Sequence, residues 1–293
     1  MEKIIKDDFD LNVIANSGQC FRFNQSADGD YKIVAFNKVL NIKNLGKDKF
    51  YLDCSKEDFD NIWSEYFDLN TNYSKIRKSV KDNPFLMECA TSSIGMRMLK
   101  QDIWEMTVSF IISQRKSIPA IKTSIERLCE LCGDKINDTD YAFPTPIQIL
   151  STDAGKLSSC GLGYRLSYIL SAAETFYSNP SYVADLKKLD DESLFEELKK
   201  MQGVGDKVAS CIALFGFHRL NFFPKDVWIN RALEEHFPNG FDMNLYAPYN
   251  GVIQQYIFYA YRNSHKYLFA FSLTCFVVLA VFVGISRNVC LIL

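Results

Sequence analysis

The chain lacks an excess of either charge. Lys+Arg is 33 and Asp+Glu is 35 in 293 residues, a formal charge of −2. That excludes a protein coated in positive charge, though not one with a single basic face for nucleic acid. No low-complexity tract or internal repeat is present, and Gly (14) and Pro (8) are sparse, which excludes a collagen-like chain. Histidine is scarce, and His218, His236 and His265 are too scattered to form a metal site. The opening MEKIIKDDFDLN has no apolar run, so no signal peptide is expected. The nine cysteines are odd in number, which argues against a disulfide framework. Reduced thiols in a cytoplasmic, nucleoid-associated protein are expected. With 48% hydrophobic residues the chain can bury a core, and its length suggests about two domains.

Residues 1 to about 75 have a β texture. Tyr31-Lys-Ile-Val-Ala-Phe, Val39-Leu-Asn-Ile-Lys-Asn-Leu and Phe50-Tyr-Leu-Asp-Cys are candidate strands, punctuated at Gly18, Asp28-Gly29-Asp30 and Gly46. From about residue 85 helical periodicity takes over. Trp104, Val108, Ile111 and Ile112 form one stripe, and Ile118, Ile121, Ile125 and Leu128 another. Leu166, Ile169, Leu170 and Ala173 follow, then Leu194, Leu198 and Met201. Asn83-Pro84, Phe143-Pro144-Thr-Pro146 and Asn179-Pro180 break the helices apart. The expected organisation is a β-rich domain over 1–84, a helical domain over 85–264 and an apolar tail over 265–293. No acidic residue follows Asp242, and residues 267–286 carry no charge. That run is long enough to cross a membrane. A buried terminal helix and an altered terminus are the other readings.

The segment Leu198-Lys-Lys-Met-Gln-Gly203-Val-Gly205-Asp-Lys207-Val-Ala-Ser-Cys211 carries the strongest chemical signal. A helical stripe ends, a Gly-Val-Gly turn follows, and a second apolar helix begins: a helix-hairpin-helix pattern. Its glycines let backbone amides face a phosphate oxygen. No Gly-Lys-Ser/Thr follows, and the turn comes after a helix rather than a strand, so neither a Walker loop nor a Rossmann turn fits. Lys207, at a helix start, is either a solvated cation or a neutral amine able to form a Schiff base. Asp226, in Pro224-Lys-Asp-Val-Trp228, can N-cap a helix or stabilise positive charge developing in a cleft. Spacing alone leaves both pairs of readings open.

Gly203-Val-Gly-Asp-Lys207, with Asp226 nineteen residues on, resembles the helix-hairpin-helix-GPD superfamily of DNA glycosylases. Gly18-Gln-Cys-Phe-Arg-Phe23, Gly95-Met-Arg-Met-Leu-Lys-Gln-Asp, Ser109-Phe-Ile-Ile-Ser-Gln, Gly161-Leu-Gly-Tyr164-Arg165 and Gln254-Gln-Tyr-Ile-Phe258-Tyr-Ala narrow the resemblance to its 8-oxoguanine DNA glycosylase/AP lyase family. Together they cover roughly residues 10–263.

The resemblance implies an α+β fold: an N-terminal antiparallel β domain, TBP-like, followed by a mostly α-helical catalytic domain. It implies removal of 8-oxoguanine from duplex DNA, on a base flipped out of the stack. Lys207 becomes the nucleophile and Asp226 the carboxylate that stabilises cationic character at the sugar. Gly18 offers a carbonyl to the N7 hydrogen of the oxidised base. Cys211 and Phe258 sandwich the base, and Gln254 reads its Watson–Crick edge. Gly203, Gly205, Arg115, Tyr164, Arg165 and Trp228 are the implied DNA contacts. No metal or other cofactor is implied. Duplex DNA is the expected partner and a monomer the expected state.

Three positions depart from the family pattern, and so does the tail, which follows Gln254 and Phe258 closely enough to disturb the pocket. Arg115 stands where an asparagine usually fills the space left by the base. Ala120 replaces an arginine that helps select cytosine opposite the lesion, so relaxed opposite-base choice is expected. Trp228 replaces a histidine found in some members. Cys129-x-x-Cys132 has no second pair nearby and reads as ordinary thiols. A non-catalytic DNA-binding or membrane-tethered protein is the competing reading; its support is the tail.

Overall fold

The computed structural model describes residues 1–264, so the apolar run 267–286 and the membrane reading attached to it lie outside the described residues. Five short strands form one antiparallel sheet: β1 (Glu2–Ile4), β2 (Phe23–Gln25), β3 (Tyr31–Ala35), β4 (Lys38–Gly46) and β5 (Lys49–Leu52), in the order β1-β5-β4-β3-β2. The expected turns at Gly29 and Gly46 use positive φ values of 86° and 83°, which glycine adopts without strain. The β3–β4 turn is made instead by Phe36-Asn37, both with φ above zero, as a two-residue hairpin linking right-twisted strands requires.

Ile33, Leu40, Ile42, Phe50 and Leu52 are buried on one sheet face. Helix α1 (Leu11–Asn16) and the aromatics Phe59, Trp63, Tyr66 and Phe67 belong to the same core. Those aromatics lie on a helical stretch over 56–66, so the β texture expected to about residue 75 stops at Leu52. Ser55 starts the stretch by accepting a hydrogen bond from the Asp58 amide at 3.0 Å. A π turn over Phe59–Trp63 follows. The extra residue in that turn blurs the 3.6-residue period, which hides the helix from a pattern reading.

Seven helices dominate the second core: α2 (Ile103–Ser113), α3 (Ile118–Cys132), α4 (Arg165–Ser178), α5 (Asp191–Lys199), α6 (Asp206–Phe215), α7 (Val227–His236) and α8 (residues 250–264). Every residue of α2 from Ile103 to Ile112 is buried. It is the central rod, and α3, α4 and α6 pack on it. Phe110 of α2 stacks on Phe215 of α6 at 5.1 Å. Two of the expected breaks are helix starts. Asn83 and Thr145 cap helices whose first residues are Pro84 and Pro146, where the missing N–H costs nothing.

Arg97 joins the two halves. It is fully buried, and its guanidinium donates to the carbonyls of Phe67 (2.9 Å), Asp68 (2.6 Å), Thr71 (2.8 Å), Asp7 (2.5 Å) and Asp8 (3.2 Å). Its plane lies 4.4 Å from the Tyr73 ring centroid. Gln19 is equally buried. It donates to the Arg97 carbonyl at 2.8 Å and accepts from the Leu99 amide at 2.7 Å. Gln101 closes the loop by donating to the Gln19 carbonyl at 2.8 Å. The segment that carries Gly18 is therefore tied to 97–101 by side chains acting as extra rungs of backbone.

Glu105, in the first turn of α2, is buried, and burial raises its carboxyl from 4.5 to about 8, against the pull of Arg22. The folded chain therefore holds a proton there that the unfolded chain releases near 4.5. The contribution of Glu105 to stability should be greatest below that value and be lost as pH rises through about 8. Glu105→Gln should remove this slope, read as the urea midpoint measured across that range.

Candidate active site

The hairpin forms as its sequence demands. Gly203 has φ +77°, and a Cβ there would stand 2.1 Å from the Tyr168 ring, so only glycine fits. Gly205 is the N-cap of α6, with no side chain to close the helix end. The first-turn amides of α6 therefore have no intrahelical partner. Lys207 follows in that first turn, half-buried, with its ammonium 5.4 Å from the Phe110 ring centroid. Asp226 caps α7, its Oδ1 accepting from the Ile229 amide at 2.9 Å. The capping reading and the cleft reading both hold, because Asp226 also lines the cavity.

One small cavity, about 50 Å³, brings together Gly18, Lys207, Cys211, Asp226, Gln254 and Phe258. Gly18 has φ +78°, and a Cβ on it would lie 3.1 Å from Phe258 Cε1. Cys211, one turn beyond Lys207, is buried. Burial pushes its thiol up, while the Lys207 ammonium pulls the other way. Gln254 is buried and donates to the Pro224 carbonyl at 3.1 Å, and it accepts from Gln255 at 2.9 Å. A wider cleft of about 460 Å³ continues from this cavity past Ser113, Lys116, Trp228 and Arg262. The six residues expected at the base and at the chemistry are thus neighbours, although they come from three distant segments.

The expected DNA contacts differ among themselves. Arg115 is exposed at the tip of the α2–α3 loop, with φ +51°. Gln114 braces that loop by donating to the Gly203 carbonyl at 3.1 Å. Arg165, expected to face DNA, is only 6% exposed. Its guanidinium is turned onto the Gln114 carbonyl instead, through Nε at 2.8 Å and through Nη2. Tyr164 is about half exposed and lies under the Arg165 guanidinium. Trp228 is half-buried and lines the cleft, with the Arg231 guanidinium 5.6 Å from its ring. Ala120 does not line it.

Lys116, expected with Arg115, Arg165 and Lys207 on a basic face, donates to Ser124 Oγ at 2.5 Å and to the Gly161 carbonyl at 2.6 Å. Its ammonium is pulled below its ordinary value by burial and by Arg165 and Arg127. These cations meet neutral oxygens rather than carboxylates, so their charge is not cancelled locally. Among the described residues, no cluster of His, Cys, Asp and Glu has the makings of a metal site. Gln255 and Arg262, both buried, were missed by sequence reasoning; the signal available was the four-residue spacing of Gln254, Phe258 and Arg262 on one helix.

A hairpin presenting free amides, a lysine in the turn after it and a capping aspartate beside the same cavity define a helix-hairpin-helix DNA repair protein. Residues 108–241 match the family model "HhH-GPD superfamily base excision DNA repair protein". Residues 3–107 match "8-oxoguanine DNA glycosylase, N-terminal domain". The chain is 34% identical to a protein solved as MBOgg1 in complex with a low-affinity DNA ligand, with a TM-score of 0.85 over 90% of this chain and 96% of that one. It is 32% identical to the Clostridium acetobutylicum 8-oxoguanine glycosylase/lyase, solved with double-stranded DNA containing cytosine opposite 8-oxoG. There the TM-score is 0.82, over 90% of this chain and 98% of that one. The Saccharomyces cerevisiae N-glycosylase/DNA lyase is 31% identical over 205 residues, which span 64% of this chain but only 50% of that protein. The chain belongs to the 8-oxoguanine DNA glycosylase family.

The two hairpin glycines should respond differently to substitution. Gly203→Ala combines a positive φ with a clash on Tyr168 and should cost about 2 kcal/mol in urea unfolding. Gly205→Ala meets nothing within 4 Å and should stay within about 0.5 kcal/mol of the unaltered protein.

Proposed function

We propose that this chain is a bifunctional DNA glycosylase/AP lyase that excises 8-oxoguanine from duplex DNA. The observation that carries the reading is the single cavity shared by Gly18, Lys207, Cys211, Asp226, Gln254 and Phe258. It supplies a nucleophile, a carboxylate and a carbonyl at one point. Lys207 and Asp226 are both present, which removes the reason to prefer a non-catalytic binder.

Discrimination rests on one hydrogen. The 8-oxo base carries N7–H, which the Gly18 carbonyl accepts. Guanine presents a lone pair there, and two acceptors facing each other in a buried site repel. Cys211 and Phe258 hold the two faces of the base, and the Gln254 amide meets its Watson–Crick edge. The base enters through the wider cleft of about 460 Å³, which Gly18, Lys207, Asp226 and Phe258 also line.

Lys207 Nζ attacks C1′ as the C1′–N9 bond breaks, and the bonding pair leaves with the base. Asp226 stabilises the positive character that develops at the sugar. The lysine adduct loses a proton and opens to a Schiff base, and removal of a C2′ proton then expels the 3′ phosphate by β-elimination. Lysine, carboxylate and solvent suffice for each step. The hairpin amides at Gly203 and Gly205 hold the phosphate backbone, Tyr164 and Trp228 flank it, and Arg115 enters the space the base has left. Arg165 reaches its cytosine only after releasing the Gln114 carbonyl. With no arginine at Ala120, opposite-base selection is relaxed.

Borohydride should trap a covalent complex with a duplex containing one 8-oxoguanine opposite cytosine, and Lys207→Gln should abolish it. Absence of the adduct with folded, unaltered protein would refute the reading. Affinity for the duplex should also fall steeply with added salt, because Arg115, Lys116 and Arg165 displace counterions.

A further inference from the structure

Arg262 has no place in the chemistry above, yet it lies against the base cavity. It shares a face of α8 with Gln254 and Phe258, and it is 8% exposed. One nitrogen, Nη2, donates to the Asn16 carbonyl at 2.7 Å and fixes the group in place. The guanidinium carbon is 5.2 Å from the Phe258 ring centroid. Nη1 is 3.7 Å from the position a Cβ would take on Gly18. Nε and Nη1 are both buried and have no acceptor among the described residues. The residue also lines the cleft that contains Lys207 and Asp226.

A buried guanidinium with two unanswered nitrogens is costly, because each has lost its water without gaining an acceptor. A substrate can supply what the protein does not. If the Gly18 carbonyl takes N7–H, the two carbonyl oxygens of the oxidised base, O6 and O8, flank that contact. Both are acceptors, and O8 shares the charge when the base leaves as an anion.

We infer that Arg262 contacts the flipped base, donating from Nη1 to its carbonyl edge and stabilising the negative charge that it carries away. The inference rests on the 8-oxoguanine reading. As C1′–N9 breaks, the pair passes to the purine ring and O8, while Lys207 Nζ forms its bond to C1′ and gives its proton to solvent. Arg262 stays protonated throughout. It acts as a fixed charge, already oriented by Asn16, so little reorganisation accompanies the reaction.

The role separates the two activities, because strand cleavage at an abasic site involves no departing base. Arg262→Met should slow single-turnover excision of 8-oxoguanine by about a hundredfold. Cleavage of a preformed abasic duplex should fall far less, which also reports that the variant is folded. Arg262→Lys should lie between the variant and the unaltered protein. Equal losses in both assays, or unchanged excision, would overturn the inference. A role exercised only through the Phe258 ring is tested by a double-mutant cycle. Adding Arg262→Met to Phe258→Ala should slow excision further; no additional loss would assign Arg262 to holding Phe258 instead. Failure of the unaltered protein to excise 8-oxoguanine would defeat the underlying reading, a result distinct from any of these.

Discussion

A buried amide holds the site together. Gln19 stands next to Gly18, and its side chain bonds to the backbone on either side of Met98. Gly18 lines the cavity, and in the proposed reading its carbonyl can discriminate a hydrogen from a lone pair only if it cannot retreat. The amide of Gln19 denies it that freedom. Arg97 extends the constraint, since five backbone carbonyls from two segments converge on its guanidinium. Deleting either side chain would leave buried polar backbone atoms with nothing to bond. The backbone next to Gly18 is thus tied into the seam between the two halves of the fold.

The opposite wall is built differently. Phe258 is only half-buried and is held by ring contacts rather than by hydrogen bonds. Lys207 and Asp226 stand on separate helix starts, α6 and α7, and α6 packs on the buried rod α2.

Much of this was legible from residues whose type is dictated by local geometry. Gly203 must be glycine because of Tyr168, and Asp226 caps whatever else it does, so both leave a mark in the sequence. The expected fold class also followed from a change of periodicity. The helical stretch over 56–66 was not legible, because its π turn scrambles the repeat. Gln19 and Arg97 were invisible as structural ties because their partners are carbonyls, which every residue possesses. Arg165 shows the reverse case. Its type suited a DNA contact, and only coordinates reveal that the Gln114 carbonyl holds its donors. Arg262 left a trace, a lone cation on the helix face that carries Gln254 and Phe258, but the trace has meaning only once Gly18 is known to lie beside it.

Gly18 and Phe258 line the same cavity yet stand 240 residues apart in the chain. That separation has a consequence during synthesis. A ribosome delivers the carbonyl wall early, the lysine much later and the aromatic wall last. A nascent chain can therefore fold its sheet and even expose its hairpin without owning a closed pocket. Long-range closure of this kind is slow to form, but it prevents an unfinished chain that already carries a reactive amine from gripping a base. In the proposed reading, base excision waits for that closure although the lysine is already present.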